Sequence, residues 1–249
     1  MQYAMMAIFV VAGIAYFLWM KGKTNKMMAD AVPAMRKFFE HTGYRYAHMK
    51  DAPLDSHVQL AVQAFRKPAE ETTYVRDFHG LPITHSYGMK TTNTGYRTWC
   101  FWSAPVSKPR VLLQIADKSL SSVGKAVKEA FSNTTRKWDQ EYPTAATSGD
   151  ATFDARFNIF GPNNADAIRG VLQTPGLKEL LLGCAEVDIC VRDGEVVFND
   201  PSQKMANAGA GGYVGSMAMG LDIGKRLEST YPVHEQVAQV IATLARAVQ

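Results

Sequence analysis

The stretch VDICVRDGEVVF, residues 187–198, reads as two β-branched, apolar runs on either side of an Asp-Gly pair. Asp-Gly supplies the positive φ that a two-residue hairpin loop requires, so the spacing predicts antiparallel strands with Arg192 facing Glu195. Upstream, FDARFNIF (153–160) alternates Phe153, Ala155, Phe157 and Ile159 against Asp154, Arg156 and Asn158, the period of a strand with one buried face. Between these segments lie two short helical patterns. Asn163 or Asn164 caps ADAIRGVLQ, and Thr174-Pro175 opens GLKELLL with proline in the first helical position. The order strand, helix, helix, strand, strand is α+β grammar and lacks the regular βαβ alternation of a doubly wound nucleotide-binding sheet.

Further upstream, residues 73–115 also carry period two. TYVRDFHG, PITHSYGM, YRTWCFWSAPV and RVLLQI are rich in β-branched and aromatic residues and are separated by Gly, Pro and Asn. YRTWCFW places Trp99 and Phe101 on one face and Cys100 and Trp102 on the other, which predicts a central strand covered on both sides. Helical spacing flanks this β-rich region. Residues 24–42 carry Met27, Met28, Ala31, Met35, Phe38 and Phe39 near one face, with Pro33 as a kink or a second start, Asp30 as a cap and Gly43 as a stop. Residues 55–66 form a second helix begun at Asp55 or Ser56, and residues 120–132 a third with Val123, Val127 and Phe131 aligned. Near the C-terminus Val233, Val237, Val240, Ile241, Leu244 and Val248 make one apolar stripe. The turn-rich EYPTAATSGDAT, residues 141–152, is the expected boundary between two subdomains. The organisation expected is a membrane anchor over 1–22, a helical region over 23–70, a β-rich subdomain over 71–140 and an α+β subdomain over 141–249. The fold class expected is α+β, a largely antiparallel sheet with packed helices behind one transmembrane helix.

That anchor rests on YAMMAIFVVAGIAYFLWM, residues 3–20, which holds no charged side chain. Roughly 17 apolar residues suffice to cross a bilayer core. A cleaved signal peptide has a basic start and small residues at its cleavage site, whereas MQY precedes this run and bulky FLWM leads straight into KGKTNK. Tyr3 and Trp19 sit where interfacial aromatics belong, and Lys21, Lys23 and Lys26 flank one end. These lysines predict an outside N-terminus and a cytoplasmic domain at a bacterial inner membrane. They also account for three of the 27 basic residues, leaving 24 against 23 acidic residues from Met27 onward. A balanced domain is a poor phosphate binder, so nucleic acid is not an expected partner. Cys100, Cys184 and Cys190 form an odd set with no C-x-x-C spacing, which predicts buried free thiols.

Few patterns here carry chemistry. AGAGGYVGSMAMGLDIG, residues 208–224, fails the dinucleotide fingerprint because Val214 breaks the glycine spacing, and it contains no Gly-Lys-Ser/Thr triplet. Its small residues Ala208, Gly212, Ser216, Gly220 and Gly224 recur at i+4, a packing ridge or a flexible connection. No G-x-S-x-G or H-E-x-x-H motif occurs, and Cys100 has no activating neighbour in sequence. Asp77, His79 and His85 are the one tight group of candidate ligands. If the turn at Gly80-Leu81-Pro82 returned His85 to the Asp77 face, two imidazoles and a carboxylate could hold a metal with open positions.

The segments FDARFNIFG, VLQTPGLKELL and VDICVRDGEVVF resemble a bacterial family of small membrane-anchored proteins catalogued only as a domain of unknown function. This chain differs from the family in carrying one hydrophobic span rather than two. The resemblance implies architecture and membrane location and no reaction. The expectation from the whole chain is a single-pass scaffold that binds a protein partner or a second copy of itself, without catalysis or cofactor. The alternatives are a membrane-tethered enzyme with a metal at Asp77, His79 and His85, or a lipid-binding module.

Overall fold

The computed structural model describes residue 22 and residues 29–66, 71–92, 95–119, 146–192, 194–200 and 223–249. The run 3–20, the flanking Tyr3, Trp19, Lys21, Lys23 and Lys26, the helix expected at 120–132 and nearly all of the glycine stretch lie outside them. Among the described residues no helix is long and apolar enough to cross a membrane.

The fold is α+β. Helix α1 (29–42) leads into β1 (Arg45–Tyr46), a short 3-10 turn, α2 (Leu54–Arg66) and the strands β2 (Glu71–Phe78), β3 (Leu81–Thr92), β4 (Gly95–Pro105) and β5 (Leu113–Asp117). The later elements are α3 (Ala151–Arg156), β6 (Phe157–Phe160), α4 (Ala165–Leu172), α5 (Leu177–Gly183), β7 (Asp188–Arg192), β8 (Glu195–Asn199), α6 (Ile223–Glu228) and α7 (Tyr231–Ala247). Eight strands form one sheet in the order β1-β2-β3-β4-β8-β7-β5-β6, and every neighbouring pair is antiparallel. The hairpin β7–β8 sits at the centre of this order. It joins the β1–β4 meander to the β5–β6 pair, so strands from both sides of the turn-rich 141–152 stretch share one sheet. Its register is the predicted one: Arg192 pairs with Glu195, their side chains bond at 2.8 Å, and Gly194 takes φ +86° in the loop.

One face of this sheet carries the core. Antiparallel pairing puts His85 beside Trp102, Trp102 beside Phe198, Phe198 beside Ile189, Ile189 beside Ile115 and Ile115 beside Ile159. All six are buried, as are Ile83, Cys100, Ala104 and Val196 on the same face. β4 is central as expected, but its burial is one-sided: Cys100 and Trp102 are sealed while Trp99 and Phe101 are only half-buried. Over the core face lie α1, through Ala31, Ala34, Met35, Phe38 and Phe39, and α7, through Val237, Val240, Ile241 and Leu244. Each such aliphatic side chain removed from water stabilises the layer by roughly 1.5–3 kcal/mol. The C-terminal stripe starts one turn later than its pattern suggested, since Val233 is 37% exposed in the first turn. Pro33 falls inside the described helix rather than at a break, and Gly43 ends that helix at φ +72° with its amide bonded to Phe39 O.

Two local expectations are corrected. Residues 153–156 are helical rather than extended, because Asp150 caps the segment by accepting from the Thr152 and Phe153 amides at 3.0 Å each. Phe153 and Phe157 then meet at 4.6 Å between ring centroids, an i, i+4 contact that the i+2 reading of the same residues had hidden. Only Phe157–Phe160 is strand. Proline also does not open α5; the helix starts at Leu177 behind Gly176, which holds φ +79° at the cap, with Pro175 in the preceding turn. Asn164, not Asn163, caps α4, accepting from the Ala167 amide at 2.8 Å. Asn163 instead accepts from the Leu112 amide at 2.8 Å, tying the loop to the start of β5. All three cysteines are buried free thiols.

Candidate functional site

The register of β2 and β3 decides the fate of the suspected metal ligands. Asp77 pairs with Pro82 and Tyr74 pairs with His85, so Asp77 and His85 point to opposite faces of the sheet. Asp77 is exposed and caps the hairpin turn, accepting from the Gly80 amide at 2.9 Å. His79 is exposed in that turn at φ +54°, its ring edge-on to Phe78 at 4.6 Å. His85 is buried beneath the helices. The three residues are not brought together, and among the described residues no group of three His, Cys, Asp or Glu side chains is placed to hold a metal.

What the fold does assemble is a buried cluster of histidine, aromatic and guanidinium groups between the sheet and the helices. His85 stacks on Trp102 at 4.7 Å and meets His234 of α7 edge-on at 5.0 Å. Tyr44, just after α1, closes the group at 5.2 Å from His234 and 5.8 Å from His85. Trp102 Nε1 donates to His234 Nδ1 at 3.3 Å, which leaves the His234 proton on Nε2. Arg76, with only 4% of its side chain exposed, lies over the Tyr44 ring at 5.1 Å. Its guanidinium donates to Thr42 O at the end of α1, to His234 O, each at 3.0 Å, and to the Glu235 carboxylate. One side chain of β2 thereby satisfies the C-terminal carbonyl of one covering helix and grips the first turns of the other.

The electrostatics of this cluster favour uncharged imidazoles. Burial, reinforced by Arg76, lowers His85 to about 3, and burial, then His85, then Arg76 hold His234 well below the usual imidazole range. Burial likewise pushes the Cys100 thiol well up, helped by Asp200. His85 Nε2 and Cys100 Sγ are 3.3 Å apart. A nucleophilic cysteine needs its thiolate stabilised by a neighbouring cation, whereas both members of this pair are held neutral. The contact is a packed thiol against a neutral imidazole. Among the described residues His85 Nδ1 and Arg76 Nε are buried without a hydrogen-bond partner, an arrangement that costs roughly 1–3 kcal/mol per group.

A second charged node lies at the far end of the sheet. Arg156 grips both carboxylate oxygens of Asp117 at 2.9 and 3.1 Å and donates to the carbonyls of Leu182, Cys184 and Ala185. Asp117 also accepts from the Val187 amide at 2.8 Å. Every partner is structural, so this node clamps α3 and β5 to the end of α5 and the entry to β7.

The cluster's other members were legible one by one. Tyr74 and Arg76 share the strand parity of Phe78, Ile83 and Tyr87 that of His85, and His234 precedes Val237 and Ile241 on the stripe of α7. What brings them to one point is the packing of α7 across β4 and β8, which joins residues more than a hundred positions apart. Comparison of the chain with family models, curated proteins and solved structures gives no match.

Proposed function

We propose that this chain is a single-pass membrane protein that works by binding, its α+β domain held on the cytoplasmic face of a bacterial inner membrane as a scaffold for a protein partner or a second copy of itself. The anchor reading rests on the uncharged run 3–20 and on Lys21, Lys23 and Lys26 behind it. The observation that favours binding over catalysis is the state of the reactive side chains. His85, His234 and Cys100 are sealed in the core as neutral groups. The exposed Asp77 lies on the other side of the strand pair from His85, and the exposed His79 sits in the turn. The near-balance of charge from Met27 onward favours a protein partner over nucleic acid.

The test is purification of the full chain from native membranes in mild detergent after brief cross-linking, with metal measured on the same sample. The reading predicts one protein, or a second copy of the chain, in near-stoichiometric amount and no metal retained. Stoichiometric metal that disappears in a His79→Ala, His85→Ala variant, with no protein bound, would replace it by the tethered enzyme.

A further inference from the structure

The His85–His234 contact lies between layers rather than within one. His85 belongs to β3, which is hydrogen-bonded on both sides, to β2 and β4. His234 belongs to α7, which lies across the sheet. The titratable and charged groups around the two rings are Tyr44 ahead of β1, Tyr74 and Arg76 of β2, Tyr87 of β3, Cys100 of β4 with Asp200 beyond β8, and Glu235 of α7. α1 contributes Phe38, 5.7 Å from His234, and β8 contributes Phe198 against Trp102. The Glu235 carboxylate is already bound to Arg76. A proton on each imidazole would set two new cations 5.0 Å apart beside the Arg76 guanidinium, across the seam between helix layer and sheet.

We propose that His85 and His234 form an acid-operated latch: taking up one proton each releases α7, and α1 with it, from the sheet while the strands stay paired. The two helices move together because Lys37 of α1 is paired with Glu228 of α6, the helix leading into α7, and His41 stacks on Tyr231 at 4.4 Å. Arg76 is the pivot, since its bonds to Thr42 O and His234 O hold both helices to one residue of β2. Sheet hydrogen bonds run within the layer and are not strained by charge across the seam. A released α1 would change the surface that the domain presents, so the latch makes binding dependent on local acidity. It stands on the geometry of the cluster and does not require the anchor.

The sign follows from linkage. The closed form disfavours the protonated imidazoles, and the open form binds them at the ordinary value of about 6.5. Closure is therefore strongest above about 6.5 and weakens as pH falls toward the lowered values of the two rings. Two protons make the open population rise up to about 100-fold per pH unit in that window. Cys100 reports the opening, because its thiol lies against His85 and is 4% exposed when the layers are closed. In the full chain in detergent micelles, a pyridyl disulfide that reacts with thiols in acid should label Cys100, located by peptide mass. The rate is normalised to free cysteine at each pH. It should rise about 60-fold between pH 6 and pH 5 with the far-UV circular dichroism unchanged, and His234→Gln should reduce that rise to about eightfold. A rate flat in pH, or labelling that appears only as the far-UV signal collapses, would overturn the latch. So would a steeper, three-proton dependence, which would draw in the buried His57 of α2 and mean whole-domain unfolding. These wild-type measurements decide the matter even if the variant does not fold.

Discussion

Arg156 shows how much of this protein's order depends on one side chain finding every acceptor it needs. Five hydrogen bonds join its guanidinium to Asp117 and to three carbonyls around the end of α5. A lysine keeps the charge but not the planar fork. Arg156→Lys should therefore lower stability by about 1–3 kcal/mol, the scale of acceptors left without their donor, read as a lower urea midpoint at unchanged slope. A loss below about 0.5 kcal/mol would show that the clamp is a surface contact only. Residue-scale reading from sequence succeeded where the determinant is local. The Asp-Gly loop fixed the Arg192–Glu195 pair, and the Asn163-Asn164 pair was recognised as the cap of α4. It failed at Asp77 and His85, because across a two-residue turn residues an even number apart point to opposite faces, and that parity depends on where the turn begins.

At the scale of elements, the same few residues can satisfy two periods, and a cap decides between them. Phe153, Ala155 and Phe157 fit a strand, while Phe153 and Phe157 alone fit a helix; the Asp150 side chain selects the helix by binding two amides. The β5–β6 edge depends on a different local requirement. A Cβ at Gly161 would lie 2.5 Å from Leu112 O and 3.3 Å from Leu113 Cα, both backbone atoms that cannot rotate away. Gly161→Ala should thus push β6 off β5 and cost about 1–3 kcal/mol, the range of an overpacked contact. Thermal melting with amide exchange across residues 113–117 and 157–160 would check it. Unchanged protection there would mean that the edge shifts to accommodate the methyl group.

For the whole molecule, elements were easier to read than their order. Strand period, helix stripes and turn residues identified most elements, but the insertion of β7–β8 between β4 and β5 depends on pairing between residues about a hundred positions apart, for which no local pattern exists. One sheet therefore runs through what composition suggested as two subdomains, and the histidine cluster exists only because α7 closes over that sheet. The proposed role of residues 3–20 is to anchor this domain on the cytoplasmic side of a membrane. Its most direct test is a matched pair of fusions after Gln249, to green fluorescent protein and to alkaline phosphatase, expressed in a bacterium and assayed in the washed membrane fraction. Anchoring in that orientation predicts fluorescence in the membranes and no phosphatase activity. Phosphatase activity without fluorescence, or a fluorescent chain in the soluble fraction, would contradict it.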